Sequence, residues 1–278
     1  MSHSTLTLKE LNQARANLNR LNDGRKIYDD STACRFIKER GFVLLMPIEG
    51  IPLPSISAAD DAPPWPGYNI TDRAWAWKET LPQGKLCAYT KLIQGRGTFI
   101  DWEIYPAFLK VYGPDGDLDY EYENGRLTQA ERDLCRVIQD YGPIDSRQLW
   151  ARVKTTFAGK RSRFTAALER LQSRFFITVA GGSLEGWTLH TWDLVERQVP
   201  REVLKHLPDR DQARTIILKQ TIRNCVAVTE GKLKSILRWP ASDLNQCLET
   251  LKQKGIISPV WIEGEQAPWL KYHKINFT

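Results

Sequence analysis

An internal repeat in the C-terminal half of the chain constrains its fold more than any other feature of the sequence. Ala167-Leu-Glu-Arg-Leu171 corresponds to Cys247-Leu-Glu-Thr-Leu251 at an offset of 80 residues, and Phe176-Ile-Thr178 matches Ile256-Ile-Ser258 at the same offset. Each copy continues through a polar turn into a second predicted strand that contains a tryptophan. The sequence therefore predicts one supersecondary unit that occurs twice.

Two further helical stretches precede each copy, over 128–141 and 146–153 in the first and over 212–225 and 230–237 in the second. The tryptophans of the second strands are Trp187 and Trp269. Three helices followed by a two-stranded hairpin with a polar wing is the plan of the winged helix, whose third helix usually enters the DNA major groove. We therefore expect an α+β fold with winged-helix domains over 125–208 and 209–278.

The N-terminal part of the chain carries two predicted helices. The first covers residues 7–21. The second covers 31–40, with Ser31 as its N-cap and Gly41 as its end.

Three strands are predicted after these helices, over 42–46, 86–91 and 98–105, the last two joined by a turn at 94–97. Alternation along the third strand places Asp101, Glu103 and Tyr105 on one face. After the first strand, five prolines between residues 52 and 66 mark a long irregular segment.

The composition is that of an ordinary globular protein. Of the 278 residues, 42% are hydrophobic and 26% are charged, a balance that disordered chains do not have. No stretch approaches the roughly 18 apolar residues of a membrane-spanning helix. The N-terminus shows no basic region followed by an apolar run, so we expect no signal peptide and a cytoplasmic protein without a membrane partner.

Cysteine and histidine usage predicts neither a metal nor another cofactor. The five cysteines are scattered, none forms a Cys-x-x-Cys pair, and the four histidines lie far from them in the sequence. Reduced cysteines that fill the core are the simplest interpretation. The run from Asp115 to Asp119 superficially resembles a calcium loop, but Tyr120 and Arg126 stand where glycine and glutamate are required.

Charge is distributed unevenly along the chain. Its formal net charge is +6, with about +1 in residues 1–30, −3 in 31–127, +4 in 128–208 and +4 in 209–278. A basic excess in the C-terminal half indicates a polyanionic partner for that half.

The third predicted helix of the first repeat copy, over 160–173, is the best candidate for contact with duplex DNA. At 100° per residue Arg163, Arg170 and Arg174 line one flank, while Lys160 and Arg161 crowd the start of the helix. Short residues on the outermost face let a helix approach a groove while arginines reach phosphates. These are Ser162, Ala166 and Ser173. A solvated basic face without a partner is the alternative.

The matching helix of the second copy is less basic. Its outward residues are Asn245, Gln246, Glu249 and Lys252, so packing against protein is an alternative role for it.

Aromatic and basic residues also alternate in the first half of the chain, at Arg73, Trp75, Trp77 and Lys78. In an extended segment the two tryptophans would share one face, and aromatics beside cations suit stacking on unpaired bases. The alternative, which large aromatics usually follow, is that both tryptophans fill the core.

Several short motifs resemble those of the AlkZ-related winged-helix family, relatives of the bacterial DNA glycosylases that unhook interstrand crosslinks. They are Gly41-Phe42, Pro47-Ile48, Leu53-Pro54-Ser55, Trp75-x-Trp77-Lys78-x-x-Leu81-Pro82, Glu121-Tyr-Glu-Asn-Gly-Arg126-Leu127, Phe164 with Ala167-Leu168-x-x-Leu171-Gln172, and Asp193-Leu194-x-Glu196-Arg197.

The resemblance covers residues 30–278 and implies three winged-helix units that form a C-shaped basic channel for duplex DNA. By that implication the first unit lies over 28–112. We therefore expect an N-terminal helix over 1–27 and a first winged-helix-like domain over 28–124, with a proline-rich insertion, before the two repeat copies.

One departure from the family concerns catalysis. The resemblance implies a Gln-x-Gln or Gln-x-Asp motif, but neither occurs in this sequence, and the corresponding stretch is Leu45-Met-Pro-Ile-Glu49. Hydrolysis of an N-glycosidic bond needs a group that orients water and stabilises positive charge on the sugar, which a carboxylate can do. Asp101 and Glu103 are candidates by their shared strand face, and Glu49 by its position; exposed carboxylates without a role are the alternative.

Three functions remain open at this point. The chain is a DNA glycosylase that excises damaged or modified bases, a non-catalytic winged-helix DNA binder, or a protein-interaction module. The resemblance favours the first and the missing glutamines favour the second. A tandem arrangement also suggests a monomer on double-stranded DNA, since simple repressors usually read palindromes as symmetric dimers.

Treatment with a chelator is expected to leave the melting temperature unchanged, because the sequence holds no cluster of metal ligands. Thermal unfolding with and without the chelator measures this. A decrease of several degrees would reveal a structural ion.

Overall fold

The same order of elements occurs three times along the chain: helix, short strand, two helices, and two antiparallel strands. This is seen in the computed structural model, which describes residues 5–22, 24–183 and 189–275. The fold is a mixed α+β fold with three small sheets. The α+β prediction is confirmed.

A short strand and a helix precede the three units. Strand β1 covers Thr5–Leu6 and helix α1 covers Leu8–Leu18, in agreement with the predicted first helix. The hydroxyl of Thr7 caps α1, and Glu10 completes a capping box with it.

The first unit lies between residues 30 and 100. Its elements are α2 (Asp30–Arg40), β2 (Phe42–Leu44), α3 (Ile56–Ala59), α4 (Asp72–Gln83), β3 (Ala88–Lys91) and β4 (Gly97–Ile100). Strand β4 lies between β2 and β3 and is antiparallel to both. The N-cap of α2 is Asp29 and not Ser31, because the Asp29 carboxylate accepts the N–H of Thr32 while the Thr32 hydroxyl accepts that of Asp29.

Two sequence predictions in this unit are wrong. Trp75 and Trp77 lie on helix α4, which the Thr71 hydroxyl caps, and not in an extended segment. The strand predicted over 98–105 ends at Ile100. The chain turns at Asp101, and the backbone oxygen of Asp101 accepts the N–H of Tyr105. A helix follows this turn.

The second unit follows two connecting helices, α5 (Tyr105–Tyr112) and α6 (Leu118–Glu123). Its elements are α7 (Gln129–Tyr141), β5 (Ile144–Asp145), α8 (Ser146–Val153), α9 (Arg161–Ser173), β6 (Ile177–Ser183) and β7 (Leu189–Leu194). The sheet order is β5–β7–β6. The three helices agree with their predicted positions, whereas Trp187 and the turn around it lie outside the described residues.

The third unit begins after two short helices, α10 (Val195–Gln198) and α11 (Arg201–Leu204). Its elements are α12 (Arg210–Cys225), β8 (Ala227–Val228), α13 (Glu230–Leu237), α14 (Ala241–Gln253), β9 (Ile257–Ile262) and β10 (Trp269–Tyr272). Strand β1 joins this sheet parallel to β9 and makes the order β1–β9–β10–β8. The N-terminal segment is thereby tied to the far end of the chain.

Buried polar contacts dock the third unit on the first. Helix α12 contacts the chain reversal between α2 and β2. The side-chain amides of Gln220 and Asn224 donate to the backbone oxygen of Arg40 at 2.7 and 3.0 Å, and Asn224 also donates to that of Phe42. All of these groups are buried. A buried backbone oxygen without a hydrogen bond lowers the stability of the fold, and the two amides avoid that loss.

The second unit docks on the first through a buried ionic cluster. Strand β6 packs on helix α4, where Lys78 Nζ lies 2.5 Å from Glu79 Oε1. His190 on β7 places Nδ1 2.8 Å from the same oxygen. Glu79 is fully buried and Lys78 is 3% exposed. Burial lowers the pKa of Lys78, and the neighbouring carboxylate opposes that shift.

Glycine is required where the hairpin meets this cluster. A Cβ atom on Gly182 of strand β6 would collide with Oε2 of Glu79. The glycine therefore lets the β6 backbone approach the carboxylate directly.

Replacing Glu79 with Gln is expected to lower the free energy of unfolding by roughly 3 kcal/mol or more, because the Lys78 ammonium is then buried without a counterion. Denaturant unfolding measures this. The matched control is Glu249→Gln, which breaks an exposed pair with Lys252 and should cost less than about 1 kcal/mol. Equal losses in the two variants would contradict a docking role for the buried cluster.

Candidate nucleic-acid interface

Helix α9 is divided into a packed C-terminal half and a free N-terminal half. Gln172 donates to the backbone oxygen of Tyr89 at 3.2 Å, and its own backbone oxygen accepts the hydroxyl of Thr90 at 2.9 Å. Glu169 pairs with Lys91. These contacts hold the end of α9 against strand β3 of the first unit, and within the described residues its first two turns carry no such contacts to that unit.

Two of the predicted DNA contacts belong to the packed half. Arg170 Nε lies 3.0 Å from Oε1 of Glu131, and Arg174 Nη2 lies 2.8 Å from Oε2 of Glu121. Both carboxylates are buried. Arg174 also donates to the backbone oxygen of Arg126. The predicted flank is therefore split, because Arg170 and Arg174 neutralise buried acids while Arg163 does not.

The N-terminal half of α9 keeps its predicted cations. Lys160, Arg161 and Arg163 are exposed, and none of them pairs with an acid in the part of the chain that the structure describes. Ser162 and Ala166 are exposed between them, as predicted, so only short side chains project from this face. The surface can therefore approach a groove closely.

The structure adds three cations that sequence reasoning missed. Arg147, Arg152 and Lys154 lie on or directly after α8, are exposed, and have no acidic partner within the described residues. Arg147 and Lys154 are seven residues apart, two helical turns, so their shared face could have been found from the spacing. Together with the previous three they form what we call the α8–α9 basic face: Arg147, Arg152, Lys154, Lys160, Arg161 and Arg163.

The basic face is held in place by aromatic rings and a closed loop. Arg161 lies over Trp150 at 5.6 Å and Arg152 over Tyr141 at 4.5 Å. The N–H of Gly159 donates to the backbone oxygen of Lys154 at 2.8 Å, which closes the loop between α8 and α9. Buried Phe157 anchors that loop. The cations are therefore presented by a fixed backbone.

The third helices of the other two units present different surfaces. Helix α4 lies under the β6–β7 hairpin. On α14, Asn245, Gln246 and Glu249 are exposed, and Lys252 pairs with Glu249 and Glu230. The outward face of α14 is thus largely exposed, and it carries one lysine, which is paired with acids.

The run from Arg73 to Lys78 follows the core interpretation. Trp77 is 2% exposed and donates its indole N–H to Asp30 at 2.7 Å. Arg73 pairs with Asp60 and Asp61. Trp75 is half-buried, so none of these side chains offers an open stacking face.

Asp101 and Glu103 occupy the turn that begins α5. The Asp101 carboxylate accepts the N–H of Glu103 at 3.0 Å, and burial raises the pKa of Asp101. Glu103 is exposed, and Tyr105, predicted on the same face, is fully buried. The shared strand face is therefore wrong, although the two acids remain neighbours.

Glu49 lies elsewhere, in an open pocket of about 380 Å³. Arg96 and Gly97 at the start of β4 line the same pocket, whereas Asp101 follows the end of that strand. Four strand residues span roughly 13 Å. The structure therefore does not bring the three predicted carboxylates together.

The cysteines offer no activated nucleophile. Burial raises the pKa of Cys135 and of Cys225 to about 12, which disfavours their thiolates. Within the described residues no cluster of histidine, cysteine and acidic side chains could hold a metal ion. Among the same residues, no helix combines the length and apolar character needed to cross a membrane.

Comparisons with known proteins identify relatives of this fold. A family described as AlkZ related matches residues 27–238. The structure of the Streptomyces sahachiroi DNA glycosylase AlkZ superposes with a TM-score of 0.63 at 12% sequence identity, over 97% of this chain and 71% of that one. No curated protein sequence gives a significant match.

Proposed function

The chain belongs to the AlkZ-related family, and we propose that it binds duplex DNA through the α8–α9 basic face. The observation that carries this proposal is the presence, on two consecutive helices and their loop, of six exposed cations that have no acidic partner among the described residues. A polyanion would neutralise these unpaired charges, and the phosphates of DNA supply one at regular spacing.

We further infer that the three repeated units are winged-helix domains, over 28–124, 125–208 and 209–278. Each has the helix and strand order of that fold, and in each the short strand after the first helix pairs with the last strand. In such domains the N-terminal residues of the third helix contact base edges. The N-terminal half of α9, which among the described residues makes no hydrogen bond or ion pair with the first unit, is the half that would contact base edges.

In the proposed complex, the first turns of α9 enter the major groove and the cations reach the phosphates on both sides. Ser162 and Ala166 allow the close approach. Arg147 on α8 and Lys154 directly after it contact the DNA backbone beside the groove. Because α9 is the only third helix with several cations that lack an acidic partner among the described residues, one copy of the chain presents one reading helix, which fits a monomer.

Changing Lys160, Arg161 and Arg163 together to Ala is expected to weaken duplex binding and to reduce its salt dependence. Each lost phosphate contact lowers the slope of log affinity against log salt by about 0.9, so three contacts lower it by about 2.7. Fluorescence anisotropy of a labelled duplex over a salt series measures both quantities.

The matched control is Lys9, Arg201 and Lys205 changed together to Ala. These residues are exposed, lie on other elements and remove the same charge. If the two triple variants lose affinity and slope equally, binding depends on total charge and the α8–α9 basic face is not the interface.

Base excision is a second candidate function, favoured by the place of Glu49. The side chain lies in the pocket that Arg96 also lines, and it has no hydrogen bond or ion pair with any described residue. A free carboxylate there could orient a water molecule and stabilise positive charge on a sugar. The S. sahachiroi neighbour is a DNA glycosylase by name, and the same reaction class is proposed here.

If the chain excises bases, replacing its catalytic carboxylate with the amide is expected to slow single-turnover base release by roughly 10²-fold or more, with DNA affinity retained. The variants are Glu49→Gln, Asp101→Asn and Glu103→Gln, each assayed on a panel of alkylated, oxidised, crosslinked and hypermodified duplexes. We expect Glu49→Gln to show the loss. Full activity in all three variants would rule out these carboxylates, and no release by the unmodified protein would leave DNA binding without catalysis.

A further inference from the structure

A rigid turn in the proline-rich segment presents an exposed aromatic ring. The N–H of Trp65 donates to the backbone oxygen of Ile70 at 2.8 Å, and the N–H of Tyr68 donates to that of Trp65 at 2.9 Å. Gly67 adopts φ 77°, which the tight turn requires. The Trp65 indole N–H donates to Asp72 at 2.6 Å. The turn is thus fixed to the start of helix α4.

Tyr68 stands at the outer end of a series of packed rings. Its side chain is 67% exposed, and its ring lies edge-on to Trp65 at 6.5 Å. Trp65 packs on Trp75 at 5.7 Å, and the buried Lys78 ammonium lies 4.2 Å from the centre of the Trp75 ring. Each ring is supported by the next, so Tyr68 is backed by the core while its own ring remains open.

Tyr68 also lines the pocket of about 380 Å³ that contains Glu49. Asn69 and Arg96 line it as well. Arg96 is exposed, and like Glu49 its side chain has no hydrogen bond or ion pair with any residue that the structure describes. The pocket therefore combines an open aromatic ring, a free cation, a free carboxylate and an amide.

This combination matches the chemistry of a nucleotide. A base stacks on an aromatic side chain whatever its identity. Its amino or imino groups donate to a carboxylate, and a guanidinium binds phosphate or base oxygens. The volume lies in the range of sites for small molecules, so one base fits and a base pair does not. A base reaches such a pocket only when it is unpaired or turned out of the duplex.

We infer that this pocket binds one unpaired nucleobase of a DNA strand, stacked on Tyr68, with Arg96 on the adjacent phosphate. The inference rests on the proposal that DNA is the partner, but it does not require bond cleavage. The site lies on the first unit, and its residues differ from those of the α8–α9 basic face. Variants of the pocket can therefore be tested separately, by their binding to single-stranded DNA.

Changing Tyr68 to Ala is expected to weaken the binding of a labelled single-stranded oligodeoxynucleotide roughly tenfold, the loss of one stacked base. Tyr68→Phe should retain the affinity because the ring remains. Arg96→Ala should weaken single-strand binding and flatten its salt dependence. Anisotropy titrations of the full chain measure all three.

The matched control is Tyr28→Ala, which removes another exposed tyrosine, 57% exposed and outside the pocket. Equal effects of Tyr28→Ala and Tyr68→Ala, or no effect of either, would overturn the inference. An equal loss in Tyr68→Phe and Tyr68→Ala would overturn stacking as its basis. Thermal unfolding of each variant shows that the fold is retained.

The fluorescent base 2-aminopurine, whose emission falls on stacking, shows whether the bound base comes from a single strand, a gapped duplex or a paired duplex. We expect quenching, dependent on Tyr68, for the base in a single strand and for the base opposite a gap in a duplex. A fully paired duplex should show none. If the free deoxynucleoside binds as tightly as the strand, the DNA part of the inference is wrong. If the unmodified protein binds the single strand but not the duplex, the basic-face proposal fails while the inference about this pocket stands.

Discussion

A buried cluster of Lys78, Glu79 and His190 lies where the second unit packs on the first. It holds the β6–β7 hairpin of the second unit on helix α4 of the first. Buried ion pairs add little net stability, since desolvation offsets their attraction, but removing one partner leaves an uncompensated buried charge. The hairpin packs on α4 at this cluster. As a result α4 is covered, while the start of α9 faces outward.

A second constraint decides which cations are left for a partner. Glu121 and Glu131 are buried carboxylates, and each must be neutralised within the fold. Arg174 and Arg170 do so from the end of α9. The arginines of one helix thus divide into those that stabilise the protein and those that remain free. The net charge of +6 does not reveal this division, because it counts both kinds equally.

The predictability of the fold follows from the range of the interactions involved. Helices α7, α8 and α9 were predicted because the periodicity of apolar residues is a local signal. The 98–105 strand was wrong because alternation continued past Ile100, while the turn at Asp101 and the helix after it depend on tertiary burial of Tyr105. The partners of Arg170 and Arg174 lie about 40 and 50 residues earlier in the chain, so no local pattern indicates them.

The same limit applies to the aromatic residues. Trp75 and Trp77 lie beside Arg73 and Lys78 in the sequence, which suggested a stacking surface. The exposed ring in the pocket is instead Tyr68, which has no lysine or arginine directly beside it in the sequence. It is exposed because it lies in a tight turn at Gly67, where its ring contacts Trp65 only edge-on. A glycine between an aromatic pair in a proline-rich segment is the only local signal for it.

The two proposed surfaces differ in what they can do to DNA. Turning a base out of an intact duplex costs a few kcal/mol, while stacking on one aromatic ring returns about 1–3 kcal/mol. The Tyr68 pocket alone therefore cannot extract a well-paired base. It can hold a base that damage, a mismatch or a missing partner has already loosened, since the cost is then smaller. Phosphate contacts at the basic face add affinity without regard to pairing. Discrimination between intact and damaged DNA would thus arise at the pocket. General affinity for DNA would arise at the α8–α9 basic face.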